Sequence, residues 1–469
     1  MTDNRQPNPN LHSLASFLKI EPGEERLVGL LVLLYFILAL GFVFVQSMAF
    51  GVFLSEYGVG GLPYSYIAIA IFASLAAALY IRLGGRVSFS KLLFINLIFL
   101  ACVSVLIWLA LKSPLYHVAV FILPLWFQIV VNFGNLAVWP LAGSLFDFRQ
   151  GKRLFPLLGA GNWLANIIGG LFIPALVKAV GATNLMLLAG FSFGVALFIL
   201  RIITHTYLGP KTDAPKTSQR TTRSVKPQTG IFKDRYVLLI FAYTVLWWVA
   251  FFFVDNIFYD RAFAQYPDAN QLAAFIGRLL SIIGIVALIS STVLTSRLIA
   301  RFGLRLGLLA MPLLVILSLG ILALSGSFSA SLFIVFAVSA FAKLSNVAFG
   351  FSTSQSANAI VYQSLPDTLR GRVQTIAEGI VQPLSVGLAG ITLLALTAGL
   401  KFSYIGLAYV FVGIGIAWLI VIFLLSGNYV QALTRVITKR RLGMTQTSSP
   451  TLPALRCCKQ VCKTRIQAW

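Results

Sequence analysis

Long, nearly uncharged apolar runs recur along the whole 469-residue chain. A helix that crosses the hydrocarbon core of a bilayer needs about 20 mostly apolar residues. The run over residues 30–44 does not alternate polar and apolar side chains, as the strands of an outer-membrane barrel would. We therefore predict an all-α integral membrane protein with twelve transmembrane helices. They span residues 27–53, 62–82, 91–111, 115–146, 153–179, 183–204, 236–260, 270–299, 303–325, 328–363, 369–398 and 402–427.

The composition supports a lipid environment. Only 10% of the residues are charged and 58% are hydrophobic, whereas a soluble domain has about 25% charged and about 45–50% apolar residues. The net charge of +23 does not indicate nucleic-acid binding, because membrane proteins collect excess Lys and Arg in their cytoplasmic loops. The expected partners are the lipid bilayer and a small-molecule substrate, with no nucleic acid.

The basic residues lie mainly in alternate loops. The loops after the second, fourth, sixth, eighth and tenth predicted helices are basic, whereas the intervening loops hold only Lys112, Lys178, Arg261 and Lys401. Cytoplasmic loops carry the excess of positive charge. The pattern therefore predicts a multi-pass protein of the plasma (inner) membrane with both termini in the cytoplasm.

A polar stretch divides the chain. Residues 205–235 contain Pro210, Pro215 and Pro227 among Lys, Ser and Thr, which is typical of a flexible linker. The predicted units are a cytoplasmic N-terminal segment (1–26), a six-helix bundle (27–204), the cytoplasmic linker (205–235), a second six-helix bundle (236–437) and a basic cytoplasmic tail (438–469).

The two halves carry similar motifs at one constant offset. Asp147 and Gly151 after the fourth predicted helix correspond to Asp367 and Gly371 after the tenth, 220 residues later. Two six-helix pseudo-repeats, with substrate bound between them near the bilayer midplane, are the layout of major facilitator transporters. We therefore predict a fold of the major facilitator type.

Motifs for catalysis are missing from the sequence. It contains no HExxH pair and no GxxxxGK[ST] loop, and His12, His117 and His205 are far apart. We predict no enzyme activity, no cofactor and no metal site.

Four ionisable residues lie inside predicted helices: Asp255, Arg278, Lys343 and Glu378. A charge at the bilayer centre costs about 2.5–3.5 kcal/mol on insertion scales, so such residues usually face a cavity or a partner. Arg278 and Lys343 lie nearer mid-span and would suit an anionic substrate, because their side chains bind carboxylate or phosphate. For Asp255 and Glu378 the sequence leaves two interpretations, a proton-coupling carboxylate or a structural ion pair.

Equivalent helices in the two halves also carry polar stripes. Gln128, Asn132, Asn135 and Trp139 share one helical face, and so do Ser339, Lys343, Asn346 and Gly350. Such stripes suit either a central cavity or hydrogen bonds between helices, worth about 0.6 kcal/mol each. The predicted substrate-binding residues are Arg278, Lys343, Asn132, Asn135, Asn346 and Gln46.

The repeated loops suggest gating contacts. Asp147 with Lys152 or Arg153, and Asp367 with Arg370 or Arg372, lie at the cytoplasmic ends of helices. We predict that these pairs are latches that stabilise one conformation, each worth about 0–1 kcal/mol when exposed.

One segment resembles a known family. Residues 152–161 read KRLFPLLGAG, which is similar to the KRFYPLFGxG signature of the ATP:ADP antiporter family, and LPYSY at residues 62–66 is also similar to that family. The resemblance implies a twelve-helix major facilitator fold and nucleotide exchange. The family's nucleotide carriers use a lysine in the first helix, whereas this chain has no charge between Leu27 and Ser55.

The sequence thus leaves three functions open. The first is a secondary transporter that works by alternating access on an anionic small molecule, with nucleotide-like compounds among the candidates. The second is a proton-coupled efflux pump for amphipathic compounds, in which a buried carboxylate cycles a proton. The third is a non-transporting membrane scaffold of the same fold. A monomer suffices for transport, and the oligomeric state is not predicted.

Overall fold

A computed structural model describes residues 21, 23–84, 86–208, 234–328 and 331–446, and this part of the chain contains helices and no strand. The helices are α1 (Glu25–Tyr57), α2 (Leu62–Gly84), α3 (Phe89–Ala110), α4 (Tyr116–Leu145), α5 (Phe148–Val180), α6 (Leu185–Tyr207), α7 (Arg235–Gln265), α8 (Ala269–Ile289), α9 (Thr295–Ser327), α10 (Leu332–Phe349), α11 (Gln355–Gln363), α12 (Asp367–Ile376), α13 (Gln382–Leu394) and α14 (Tyr404–Gln446).

Eleven segments of the described chain are long and apolar enough to cross a membrane. The longest, Ala269–Ser327, has 59 residues, and its backbone leaves the helical conformation at Gly303 (φ 79°, ψ 175°). At 1.5 Å per residue such a segment is long enough for two crossings of a core about 30 Å thick. The all-α membrane fold is as predicted, with eleven such segments where twelve helices were predicted, and the break at Gly303 lies between two of the predicted helices.

Most of the predicted boundaries between units lie close to the ends of helices. Helix α1 begins at Glu25. Helix α6 ends at Tyr207, and helix α7 begins at Arg235. Most of the predicted linker and the end of the tail, residues 209–233 and 447–469, lie outside the described residues. Helix α14 continues to Gln446, past residue 437, where we expected the second bundle to end.

Helix α5 begins earlier than the sequence suggested. A capping box joins the Asp147 side chain to the backbone of Gln150, and the Gln150 side chain returns a bond to the Asp147 backbone. This cap starts the helix at Phe148 rather than near residue 153. Lys152 therefore lies on a helix rather than before it, and Arg153 lies more than one turn inside the helix instead of at its first residue.

The two halves are in contact at one end of the bundle. This closed end is the end away from residues 25, 148 and 235. The Phe50 ring on α1 stacks on Tyr259 of α7 with centroids 4.3 Å apart, and Tyr66 of α2 lies 4.6 Å from Phe252 of α7. The backbone N–H of Ala182 donates to the Asn270 side chain across the same boundary at 2.8 Å.

Glycines bring the backbones of the two halves together at this end. A Cβ built on Gly170 of α5 would overlap the carbonyl oxygen of Gly277 on α8. A Cβ on Gly390 of α13 would lie 2.9 Å from the carbonyl oxygen of Pro63 on α2. Small residues allow this approach in membrane helices, so the closed end is sealed by direct backbone contact.

The opposite end, which carries residues 25, 148 and 235, is open. Among the described residues, the hydrogen bonds, ring contacts and glycine contacts that cross between the halves lie between mid-membrane and the closed end. Helix α1 is surrounded by α4, α5, α6 and α8, yet its Leu33 is 45% exposed. Trp139 on α4 and Leu238 on α7 are also exposed. A central opening therefore enters the bundle from this end.

Four π-helical turns interrupt the helices of the second half, and among the described residues the first half has none. Two of them, Ser290–Leu294 after α8 and Gly350–Ser354 after α10, meet at a buried hydroxyl cluster. Ser290 shares a hydrogen bond with Ser352 at 2.8 Å, and Thr353 shares bonds with Ser290 and Thr295 at 3.1 and 3.0 Å. The cluster ties together two helices whose backbones are locally irregular.

Candidate functional site

A buried ion pair lies near the closed end of the central opening. The Lys343 ammonium on α10 donates to Oδ1 of Asp255 on α7 at 2.5 Å. Lys343 is 3% exposed and Asp255 is 5% exposed. The sequence suggested a pairing of opposite charges in the second half, and the structure brings these two side chains together. A pair so deeply buried has lost most of its hydration, which makes it sensitive to any third charge.

Aromatic rings surround the ammonium group. The Lys343 Nζ lies 5.2 Å from the centre of the Phe251 ring and 5.5 Å from that of Tyr259. Trp248 and Phe351 pack against Phe251, with ring centroids 5.6 and 5.9 Å away. Ring faces attract cations within about 6 Å. These rings therefore stabilise the cation independently of the Asp255 carboxylate.

The first half also contributes to this site. Tyr66 on α2 and Tyr259 on α7 both lie close to the Asp255 carboxylate, and the Gln46 side chain on α1 lies beside Tyr259. The site therefore spans the contact between the halves. Neither tyrosine was predicted as a site residue, because a tyrosine in an apolar run is usually a packing residue; Tyr66 entered only as the last residue of the LPYSY segment.

Unused hydrogen-bonding atoms remain buried near the pair. The Tyr66 hydroxyl and the Asn346 amide oxygen have no hydrogen-bond partner among the described residues. The Asn346 amide nitrogen donates a long bond of 3.4 Å to the carbonyl oxygen of Phe251. Buried polar atoms are normally satisfied. These two atoms thus offer a donor and an acceptor to water or to a bound molecule.

The polar stripe of α4 lies in the first half. Tyr35 of α1 donates its hydroxyl hydrogen to the Asn135 amide oxygen at 2.8 Å, and the Trp139 indole donates to the same oxygen at 3.3 Å. The Gln128 amide donates to Asn132 at 3.2 Å. All four stripe residues are at least partly exposed. The stripe therefore both joins α1 to α4 and presents amides for binding.

Arg278 does not join this site. It is exposed and shares one face of α8 with Ile282, Ile285 and Ile289, which are each about half exposed. The opposite face of α8, with Ala273, packs against α1. No ion pair or hydrogen bond joins the Arg278 side chain to a described residue. We expected Arg278 and Lys343 to line one cavity, but helical geometry places Arg278 on the outer face of the bundle.

Glu378 also lies apart from the pair. It is exposed in a π-helical turn and accepts a hydrogen bond of 2.8 Å from Gln374. Of the two carboxylates that the sequence singled out, only Asp255 is buried beside a cation. The structure therefore favours Asp255 over Glu378 as the residue that responds to a bound charge.

An ionic network stands at the open end. The Arg153 guanidinium of α5 contacts Glu21 and also Glu24, the latter at 2.5 Å. Gln150 donates to the other oxygen of Glu24 at 2.7 Å. We predicted that Asp147 pairs with Lys152 or Arg153, but Arg153 pairs with these glutamates and Asp147 caps α5. A signal was available, because Glu21 and Glu24 are two of only 13 acidic residues and directly precede α1.

The equivalent contacts in the second half differ. The Arg370 guanidinium donates to the carbonyl oxygens of Tyr362 and Gln363 at 3.1 and 2.9 Å, which caps α11. Arg372 is exposed. The side chains of Lys152 and Asp367 lie outside the described residues, so their predicted gating roles stay predictions.

The partner of Arg153 can be tested, because the structure assigns Glu24 to this role whereas the sequence suggested Asp147. Arg153→Gln should lower the free energy of unfolding by about 1 kcal/mol, because the network is partly exposed. In double-mutant cycles, measured by chemical unfolding in detergent, Arg153 should couple to Glu24 and not to Asp147. A coupling energy between Arg153 and Asp147 equal to that with Glu24 would restore the predicted latch.

Comparison with known proteins bears on this architecture. The profile of the Major Facilitator Superfamily matches residues 140–390, which is more than half of the 469-residue chain. The chain belongs to the Major Facilitator Superfamily. This major facilitator protein is therefore a multi-pass membrane transporter rather than an enzyme, and the predicted fold class is confirmed.

Solved structures share the fold at low sequence identity. A bacterial homologue of the iron transporter ferroportin, solved in an inward-facing state, is 15% identical with a TM-score of 0.61, covering 86% of this chain and 98% of its own. A D-xylose–proton symporter is 14% identical (TM-score 0.61; 84% and 96% covered). The nucleoside transporter NupG is 12% identical (TM-score 0.60; 84% and 99% covered). A comparison with curated protein sequences found no match.

Proposed function

We propose that this major facilitator protein is a secondary active transporter that carries an anionic small molecule by alternating access, with Lys343 as the cation that binds the substrate. The observation that carries the proposal is the buried Lys343–Asp255 pair at the closed end of the central opening. Ionisable groups inside a membrane are costly and usually functional. Replacing a buried ion pair by apolar residues is often neutral or stabilising, so folding alone does not explain the pair.

Three features favour an anion over a cation. The rings of Phe251 and Tyr259 hold the ammonium in place, so it stays positioned when a substrate anion competes with Asp255. An ammonium group has three donors, and the structure shows one of them used, by Asp255. The open end is also basic, which concentrates anions. Its exposed arginines include Arg86, Arg149, Arg235, Arg297, Arg301 and Arg372.

The amides of the first half would complete the site. Asn132 and Asn135 on α4, with Gln46 on α1, would bind the polar part of the substrate, and Asn346 would add its unpaired oxygen. The aromatic lining on both sides of the opening suits a substrate with a planar ring. Residues 152–161 are also similar to the signature of the ATP:ADP antiporter family. This similarity and the aromatic lining together support nucleotide-like anions as candidate substrates.

The basic open end supports an orientation. Cytoplasmic loops hold the excess of Lys and Arg, so we assign the open end and both termini to the cytoplasm of an inner membrane. Asp147, Lys152, Arg153, Asp367, Arg370 and Arg372 all lie at this end. On closure of the opening the two halves must approach each other here, which is where gating contacts would form.

Uptake of matched anionic and neutral compounds tests the proposal. Proteoliposomes should accumulate AMP in preference to adenosine, or nicotinate in preference to nicotinamide. Lys343→Met should reduce anion uptake by about 100-fold, the effect of losing about 2.7 kcal/mol of binding free energy. Lys178→Met, at an exposed lysine on α5, is the matched control. Arg278→Gln should stay within about twofold of the wild type, because exposed substitutions usually change little.

Other outcomes of these uptake assays would contradict the role of Lys343 or favour a different function. Full anion uptake by Lys343→Met would exclude Lys343 as the binding cation. Loss of uptake in Arg278→Gln would restore Arg278 to the site. Export of amphipathic cations without anion transport would favour the efflux pump, and absence of any transport or ligand binding over the panel would favour a scaffold.

A further inference from the structure

We infer that a proton travels with the substrate anion, carried on the carboxyl group of Asp255. The inference rests on the proposed anion site and adds its coupling ion. The starting point is the charge of the Lys343–Asp255 pair, in which one ammonium and one carboxylate, both at most 5% exposed, cancel each other.

Binding of an anion upsets this balance. When a substrate anion replaces Asp255 as the partner of the Lys343 ammonium, the site holds two negative groups and one positive group. An uncompensated charge in a dry interior is very costly, and such groups neutralise instead. Uptake of one proton by Asp255 converts the carboxylate to a carboxylic acid. The substrate and Lys343 then form the ion pair, and the site is neutral again.

The proton and the charges balance through the cycle. One anion and one proton enter from the open end, the hydrogen bond from Lys343 to Asp255 breaks, and a bond from Lys343 to the anion forms. Release at the other side returns both the anion and the proton, and the original pair closes. A monoanion is therefore carried without net charge, whereas a dianion carries one negative charge per cycle.

The surroundings leave Asp255 as the proton acceptor. The groups close to its carboxylate are Lys343 from α10, Tyr66 from α2 and Tyr259 from its own helix. Among the other neighbours of α7, α13 contains no ionisable residue, and the part of α14 up to residue 429 contains only tyrosines. The π-helical turn at residues 377–381 also packs against α7 and carries Glu378, but this side chain is exposed and bonds to Gln374. Gln46 of α1 is neutral.

Tyr66 links this step to the contact between the halves. Its hydroxyl is buried without a hydrogen-bond partner among the described residues, and it belongs to α2 in the first half while lying close to Asp255 in the second. A carboxyl group that has left Lys343 offers this hydroxyl a partner. In this inference, protonation of Asp255 would add a contact between the halves that the Lys343–Asp255 ion pair does not make.

Asp255→Asn provides the decisive variant, because asparagine resembles the neutral carboxylic acid. In proteoliposomes with the monoanion nicotinate, the wild type should accumulate the anion about tenfold under a gradient of one pH unit that is acidic outside. A pH dye inside the vesicles should report acidification that depends on the anion. Asp255→Asn should lose the gradient-driven accumulation, and any anion that it still exchanges should cause no acidification.

Two results would overturn the inference while the anion site stands. One is anion uptake by the wild type that does not depend on the pH gradient. The other is gradient-driven accumulation that persists in Asp255→Asn. If no anion is transported at all, the proposed function itself fails, and an infrared measurement still decides the proton step. Lys343→Met should then show a carboxylic-acid C=O band at neutral pH that the Asp255→Asn, Lys343→Met double variant lacks. Absence of this band overturns the inference.

Discussion

Lys343→Met will lower the free energy of unfolding by about 3–5 kcal/mol, because Asp255 stays buried without its partner and must either keep an uncompensated charge or bind a proton. Asp255→Leu should have an effect of similar size for the same reason. The double variant Asp255→Leu, Lys343→Met should recover most of this loss, since apolar residues of similar volume often replace a buried pair at little cost. Reversible unfolding in mixed micelles of detergent and denaturant measures all three.

The double-mutant cycle separates an ion pair from two independent packing residues. If the losses of the single variants add in the double variant, the pair has no coupling energy, and the electrostatic account of the site is wrong. Lys178→Met should show no measurable loss, because this lysine is exposed. Each variant should elute as a single species before its unfolding is compared.

Gly170→Leu will shift this transporter away from the conformation described here. The Gly170 Cβ would overlap the backbone of Gly277, and it would lie 2.9 Å from the backbone nitrogen of Ser281. Overpacking costs about 1–3 kcal/mol, which lowers the population of the state closed at this end by about 5- to 150-fold. Transport should fall accordingly, because the cycle needs both states.

Accessibility to a membrane-impermeant maleimide measures the shift. Ala273 is fully buried against α1, so Ala273→Cys in a cysteine-free background should react slowly, and faster when Gly170→Leu is added. Gly194→Leu is the matched control, because a Cβ there meets nothing within 4 Å. Equal labelling with and without Gly170→Leu would show that the glycine contact does not seal this end.

The sequence predicted the features that depend on composition and periodicity. The apolar runs, the offset of 220 residues between the halves and the intramembrane charges follow from residue type and spacing alone. The two halves, the Asp255–Lys343 pair and the stripe on α4 were therefore within reach. Lipid leaves a spanning chain few alternatives to helices, because each backbone polar group must be satisfied internally.

The missed features depend on neighbours in space. Glu21 and Glu24 pair with Arg153 only because α1 and α5 run side by side. The π-helical turns near Ser290 and Thr353 do not change the hydrophobic periodicity of the sequence. Arg278 is different, since a helical projection places it with Ile282, Ile285 and Ile289. That apolar face indicates lipid rather than a cavity, and the spacing alone could have shown it.

The central claim is that Lys343 recognises the negative charge of the substrate, and ligand-dependent thermal stabilisation of the purified protein tests it most directly. Wild-type protein should be stabilised more by AMP than by adenosine, or more by nicotinate than by nicotinamide, in proportion to occupancy. The Asp255→Leu, Lys343→Met double variant should lose this preference, while the Lys178→Met control keeps it. An equal preference for the anion in the double variant and the wild type would contradict the account.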